Sequence, residues 1–191
     1  MYSVAVVGTG RIGMALATAF ASAGLEVVIG SRTPQAVAAG ALPVVSLPQA
    51  LDVADAVVLA VPGSAVGALL EEYRPRLQSA AVIDATNSVG SGRMHHAADA
   101  VGLSYYRAFN TLGVENFEQP TFGEEPADLF YSGPPTHKDM VEALIAAVGL
   151  RPVYVGDGPA SADLLDGITR LWFALVLQQG HGRHLALRML T

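Results

Sequence analysis

Ser3-Val-Ala-Val-Val7-Gly8-Thr9-Gly10-Arg11-Ile12-Gly13-Met-Ala-Leu-Ala-Thr-Ala-Phe20 opens the chain and decides its fold. Val4 to Val7 is an apolar run short enough for a buried parallel strand, and three glycines follow at G-x-G-x-x-G spacing. In such a loop each glycine removes a side chain where the backbone must turn tightly, approach a pyrophosphate, or pack a helix onto the sheet. Met14 to Phe20 is rich in helix formers, so the loop offers free backbone N–H groups and the positive end of a helix dipole to an anion.

One helix later comes Val27-Val-Ile-Gly-Ser31-Arg32-Thr33. A site for NAD places an acid about 20 residues after the glycines, to bond the ribose 2′-hydroxyl. Here a guanidinium fork and two hydroxyls stand instead, the donors that a 2′-phosphate needs and that an Asp would repel. The reading is therefore an NADP(H) site, with the glycines Gly8, Gly10 and Gly13 at the pyrophosphate and Ser31, Arg32 and Thr33 at the 2′-phosphate. Arg11 is also placed to reach that phosphate or to stack on adenine.

Composition narrows the remaining choices. A chain of 191 residues with 51% hydrophobic and 15% charged residues is long enough to bury most of its unfolded surface. A net charge of −6 with scattered arginines lacks the basic stripe of a nucleic-acid binder. The absence of cysteine excludes disulfides, thiol catalysis and thiolate metal sites. No apolar stretch approaches the ~20 residues of a membrane span. Met1-Tyr2 leads straight into the first strand, so the expectation is a cytoplasmic protein without a signal peptide.

Further strands are expected at Pro43–Val45, Ala56–Val61, Ala80–Asp84, Ser104–Arg107, Leu129–Tyr131 and Pro152–Val155. Helical patterns are expected at Leu47–Val53, Val66–Leu77, His95–Val101 and Lys138–Val148. This βαβ alternation predicts an α/β fold, a Rossmann-type, doubly wound and mostly parallel sheet of six to eight strands. Asp84 and Asp128 are read as exceptions near strand ends. From Ala160 to Met189 apolar residues repeat at three and four, which predicts one long terminal helix, or one bent near Gly180 and Gly182, capped by Ser161 or Asp163. The boundary drawn is 1–158 for the nucleotide-binding domain and 159–191 for a helical appendage of the same unit, joined at Gly156–Pro159.

Ligands of open α/β sheets lie at the carboxyl ends of the strands. The residues there are Ala60-Val61-Pro62-Gly63, Ala85-Thr86-Asn87-Ser88 and Ala108-Phe109-Asn110-Thr111-Leu112-Gly113. Together with the glycine loop and Gly30-Ser31-Arg32, these segments resemble the family of NADP oxidoreductases dependent on coenzyme F420. The resemblance extends to Leu164-Leu-Asp-Gly-Ile-Thr-Arg-Leu-Trp172 near the end of the chain.

The resemblance implies an enzyme that exchanges hydride directly between nicotinamide C4 and C5 of a deazaflavin stacked on it. Positioning, rather than a side-chain acid, would then carry catalysis. It implies that Thr9, Arg11 and Ile12 hold the pyrophosphate and adenosine side, and that Ala60, Val61, Pro62, Asn87 and Ala108 bound the middle of the cofactor. Asn110, Thr111 and Leu112 would sit nearest the nicotinamide and the second ring. Asn110 stands where certain members have His, and Gly113 where they have Pro, so coenzyme F420, a flavin, a ferric chelate or another small redox substrate stays open as acceptor. Two further readings are an imine-type reductase and a non-catalytic NADPH-binding redox sensor. The terminal helix is expected to serve a homodimer.

His181 and His184, three apart, lack a third metal ligand of fitting spacing, so no metal site is assigned. His95-His96 is read as the start of an exposed helix. Trp172, Phe173, Tyr105 and Tyr106 are read as packing residues, and Lys138 as the start of a surface helix.

Overall fold

The computed structural model describes residues 2–36, 42–88 and 92–190. From Ser3 the chain alternates strand and helix: β1 (Ser3–Val7), α1 (Arg11–Ser22), β2 (Glu26–Ser31), β3 (Val44–Ser46), α2 (Leu47–Leu51), β4 (Ala56–Leu59), α3 (Val66–Leu77), β5 (Ala81–Asp84) and β6 (Ser104–Arg107). The six strands form one sheet in the order β3-β2-β1-β4-β5-β6, with every pairing parallel. That is the doubly wound arrangement, in which the direction of winding reverses between β1 and β4 and opens a crevice at their carboxyl ends.

Alternation along the strands divides the core. Val4 and Val6 pack with Leu16, Ala17 and Phe20 of α1 on one face. Ala5 and Val7 pack with α2 and α3 residues such as Leu51, Leu69 and Leu70 on the other. Strands covered on both faces read as continuous apolar runs, which is why β1 and β4 were legible.

Beyond β6 come α4 (Glu115–Glu118), a small hairpin of β7 (Thr121–Phe122) and β8 (Glu125–Pro126), β9 (Asp128–Tyr131), α5 (Lys138–Ala147), β10 (Arg151–Tyr154) and α6 (Gly158–Phe173). β9 and β10 pair in parallel. They meet the main sheet through one antiparallel bridge, in which Arg107 and Ser132 exchange N–H···O bonds of 2.9 and 3.0 Å. The two acids that interrupt strand patterns are both paired: buried Asp84 with Arg107, and Asp128 with Arg151 in a two-point contact of 2.6 and 2.8 Å.

Three expectations are corrected. His95–Val101 is a series of turns, because His95 is drawn inward to Asp163 and the N–H of Ala97 bonds His95 Nδ1, which closes a local turn instead of a helix. His95 is therefore buried rather than on an exposed helix. The terminal helix does not run on to Met189: a π-helical turn, Ala174–Gln178, follows α6, and the helical course ends before Gly180, which takes φ +75° while the N–H of His181 bonds Leu175 O. His181 and His184 consequently lie in an irregular segment. The cap of α6 is Asp157, which accepts from the N–H of Gly158, whereas Ser161 donates to Asp157 O and Asp163 pairs with His95 and Arg93. Trp172, Tyr105 and Tyr106 are buried as packing residues, and Lys138 begins α5 with a bond to Glu142.

Candidate functional site

The glycine loop divides its three residues by role. A Cβ on Gly8, at φ +128°, would stand 2.3 Å from Ala60 O, and one on Gly13 2.3 Å from Gly8 O, so both let backbone pass close to backbone. A Cβ on Gly10 would meet nothing within 4 Å. Gly10 is also the N-cap of α1, with no side chain bonded to the helix end and no acid in the first turn. The start of α1 thus offers its N–H groups and dipole to open space, a cradle that fits a pyrophosphate and that a side chain would partly fill. Thr9 and Arg11 flank it on the surface, and Ile12 turns its side chain to the core. Arg11 lies 3.8 Å from Glu115.

β2 ends beside this loop, where the N–H of Gly8 bonds Gly30 O. Ser31 Oγ accepts from the N–H of Thr33 at 3.1 Å and turns the chain, leaving Arg32 and Thr33 exposed. Among the described residues no carboxylate pairs with Arg32. A basic, hydroxyl-lined corner next to the glycine loop suits a phosphate monoester better than a free ribose diol.

β4 ends in Ala60-Val61-Pro62, with Ala60 N–H on Val7 O, Val61 half-buried and Pro62 exposed. A Cβ on Gly63 would collide with Ser88, so the loops after β4 and β5 lie in contact. Asn87, after β5, is held from both sides: its Oδ1 accepts from Arg107 and its Nδ2 donates to Asn110 O, each at 3.0 Å.

β6 ends in Ala108 and Phe109, which has φ +62°, the left-handed conformation that a bulky residue rarely takes. Its ring is fixed edge-on between Phe20 and Phe117. The reversed backbone carries Asn110 toward α6, where its Nδ2 donates to Thr169 Oγ1 at 3.0 Å. Asn110, Thr111 and Leu112 are buried, and Asn110 Oδ1 and Thr111 Oγ1 have no hydrogen-bond partner. Backbone strain and orphaned polar atoms in one place are features of functional sites.

Beneath these loops sits an ionic cluster that sequence reading missed. Fully buried Arg107 lies 3.3 Å from Asp84 and 3.2 Å from Asp166 of α6, and donates to the carbonyls of Asp84 and Thr86 as well. Asp84 also accepts from the N–H and hydroxyl of Thr86 and from Tyr105. Burial and the neighbouring Asp84 charge push the Tyr105 phenol well above its usual range, so it remains a donor. Signals were present: an Arg inside a strand pattern, and an Asp between Leu165 and Thr169 on the buried stripe of a helix. His95, Asp163 and Asp166 bring ligand atoms within 4.8 Å of one another. Both Asp166 oxygens are already engaged, by Arg107 and the N–H of Met94, so this group is an ion-pair network rather than a metal cage.

Residues 3–88 match the family model of NADP oxidoreductases, coenzyme F420-dependent. A protein of Arthrobacter sp. FB24, described as a candidate F420-dependent NADP-reductase, superposes with a TM-score of 0.82 at 19% identity over 100% of both chains. A hypothetical protein of Sinorhizobium meliloti gives 0.71 at 28% identity, covering 82% of this chain and 86% of that one. An imine reductase of Streptomyces aurantiacus gives 0.69 at 21% identity, covering 92% of this chain and 63% of that one. No curated protein matches the sequence. The family match indicates an NADP-dependent oxidoreductase and agrees with the resemblance read from the sequence. Among the described residues no helix is long and apolar enough to cross a membrane.

Proposed function

We propose that this chain transfers hydride between NADP(H) and a ring-shaped electron carrier of the deazaflavin class, coenzyme F420 being the first candidate. The open cradle at Gly10, set beside the acid-free Ser31-Arg32-Thr33 corner, is the observation that carries the reading. When bound, nicotinamide supplies the hydride chemistry at its C4.

The chain's own part is placement. The first turn of α1 holds the pyrophosphate through backbone N–H groups, and Arg32 with Ser31 and Thr33 holds the 2′-phosphate. Ala60, Val61 and Pro62 form an apolar wall, with Asn87 and Ala108 along the middle of the cofactor. Asn110, Thr111 and Leu112 border the reacting end, in keeping with catalysis by orientation. Exposed Leu164, Leu171 and Leu177 support a homodimer seam along the terminal helix. The same reading takes the protein as cytoplasmic, with a small-molecule redox substrate.

The sensor reading has one observation in its favour, the burial of Asn110, Thr111 and Leu112, with Asn110 bonded to Thr169 of α6. The fold shared with imine reductases keeps an imine acceptor as a third reading. An anaerobic absorbance assay decides among them, with NADPH and, in parallel, oxidised F420, FMN, FAD, a ferric chelate and a cyclic imine. Loss of the deazaflavin band alone supports the proposal. Turnover of the imine alone, or tight NADPH binding with no turnover of any acceptor, overturns it in favour of the reductase or the sensor.

A further inference from the structure

A Cβ on Gly113 would stand 2.6 Å from Glu115 Oε2, 2.8 Å from the Trp172 ring and 2.9 Å from Arg183 O. Gly113 directly follows the three residues assigned to the reacting end, so α6 and the segment after it press on the place where a second ring would lie. That segment, Gly180–Leu190, has no helix or strand. It is held chiefly by polar contacts: Arg183 on Glu115 at 2.7 Å, His184 on Gln119 O at 2.8 Å, Arg188 on Glu125 at 2.5 Å, and the N–H of Met189 on Asp128 at 2.7 Å. Leu185 O accepts from Trp172 Nε1 at 3.1 Å, and the Arg183 guanidinium lies over the Trp172 ring. At its start, Gly180 has φ +75°, and neither it nor Gly182 has an atom within 4 Å of a built Cβ, so both are free to act as pivots.

We propose that Gly180–Leu190 is a displaceable strap which, with Trp172, sets the size of acceptor. Closed, it shuts the reacting end to a multi-ring carrier. Lifted about Gly180 and Gly182, it uncovers Gly113 and two of the buried polar atoms that lack partners, Asn110 Oδ1 and Thr111 Oγ1. Such an element belongs to the low-stability end of a fold, since it has no helix or strand and rests largely on exposed polar bonds. This inference rests on the hydride-transfer reading above.

Trp172 is the only tryptophan, so 5-fluorotryptophan labelling of the full chain gives a single fluorine resonance under the strap. The experiment follows this resonance and amide exchange over 183–190 at saturating NADP+, before and after adding oxidised F420. The proposal expects the resonance to move and exchange at 183–190 to rise with F420. Arg183→Ala should shift the resting equilibrium toward the lifted form and tighten F420 binding up to about tenfold, the gain available when a competent form of about 10% becomes dominant. NADP+ affinity should be unchanged. A resonance and exchange pattern unmoved by saturating F420 overturns the strap while leaving the nucleotide reading intact. No change in the glycine-loop amides on adding NADP+ overturns both.

Discussion

Arg107 Nη2 lies 3.2 Å from Asp166 Oδ1, with both side chains buried, and this contact ties the end of β6 to the terminal helix. Asp84 shares the same guanidinium, so two buried carboxylates depend on one buried cation. Arg107→Met should therefore destabilise the chain by about 3–5 kcal/mol, the cost of leaving buried charge unpaired. Asp166→Asn should cost less, because the amide keeps an acceptor toward Arg107. Urea unfolding of both variants checks the order, and a loss under about 1 kcal/mol for Arg107→Met would remove the cluster from the account of stability.

Arg32 separates the two dinucleotides. Its removal in Arg32→Ala should deprive the 2′-phosphate of a charge-assisted contact worth about 1.5–3 kcal/mol, or roughly tenfold to 150-fold in affinity for NADPH, with little effect on NADH. Calorimetric titration with both nucleotides reads this directly. Equal losses for the two would show that Arg32 serves something other than the 2′-phosphate.

Two of the loop glycines should fail in different ways. Gly13→Ala places a methyl 2.3 Å from Gly8 O, so it should lower thermal stability by several degrees. Gly10→Ala meets nothing within 4 Å at φ −77°, so it should leave stability unchanged and weaken NADPH by about tenfold through crowding of the pyrophosphate. A Gly10→Ala protein that binds NADPH normally would place the pyrophosphate elsewhere.

Acid should release the strap. At Glu115 burial opposes ionisation, but the hydrogen bond and charge of Arg183 outweigh it and hold the carboxyl below its usual range. At Asp128 burial is likewise outweighed by Arg151 and the N–H of Met189. Groups with depressed values in the folded state stabilise it fully above their unfolded pKa of about 4, and that contribution is lost as pH falls through the folded values. The fluorine resonance of Trp172 should thus stay constant from pH 8 to pH 6 and move only below about pH 4. A midpoint in the imidazole range would contradict carboxylate anchoring.

What the sequence disclosed was what is encoded locally. The Gly8–Gly13 spacing, the apolar strands and the Val66–Leu77 helix depend on neighbours in the chain, and the structure places them as expected. His95–Val101 looked helical by periodicity, but a side-chain contact with Asp163, 68 residues away, draws His95 inward. Leu164 to Val176 kept its three-and-four rhythm through α6, whereas the course after Gly180 follows from one left-handed residue and from partners on α4 and the β7–β8 hairpin. The Arg107 cluster was hidden for the same reason, since Asp166 lies 59 residues on and no periodicity links the two.

The central claim is direct hydride transfer at the end of β6, and the most direct test is a single turnover with NADPH deuterated at one face of C4 and oxidised F420, read by mass spectrometry. The account predicts that one of the two faces delivers its deuterium to C5 of the reduced deazaflavin with no exchange into water. NADPH that binds but passes deuterium to no ring acceptor from either face would contradict it.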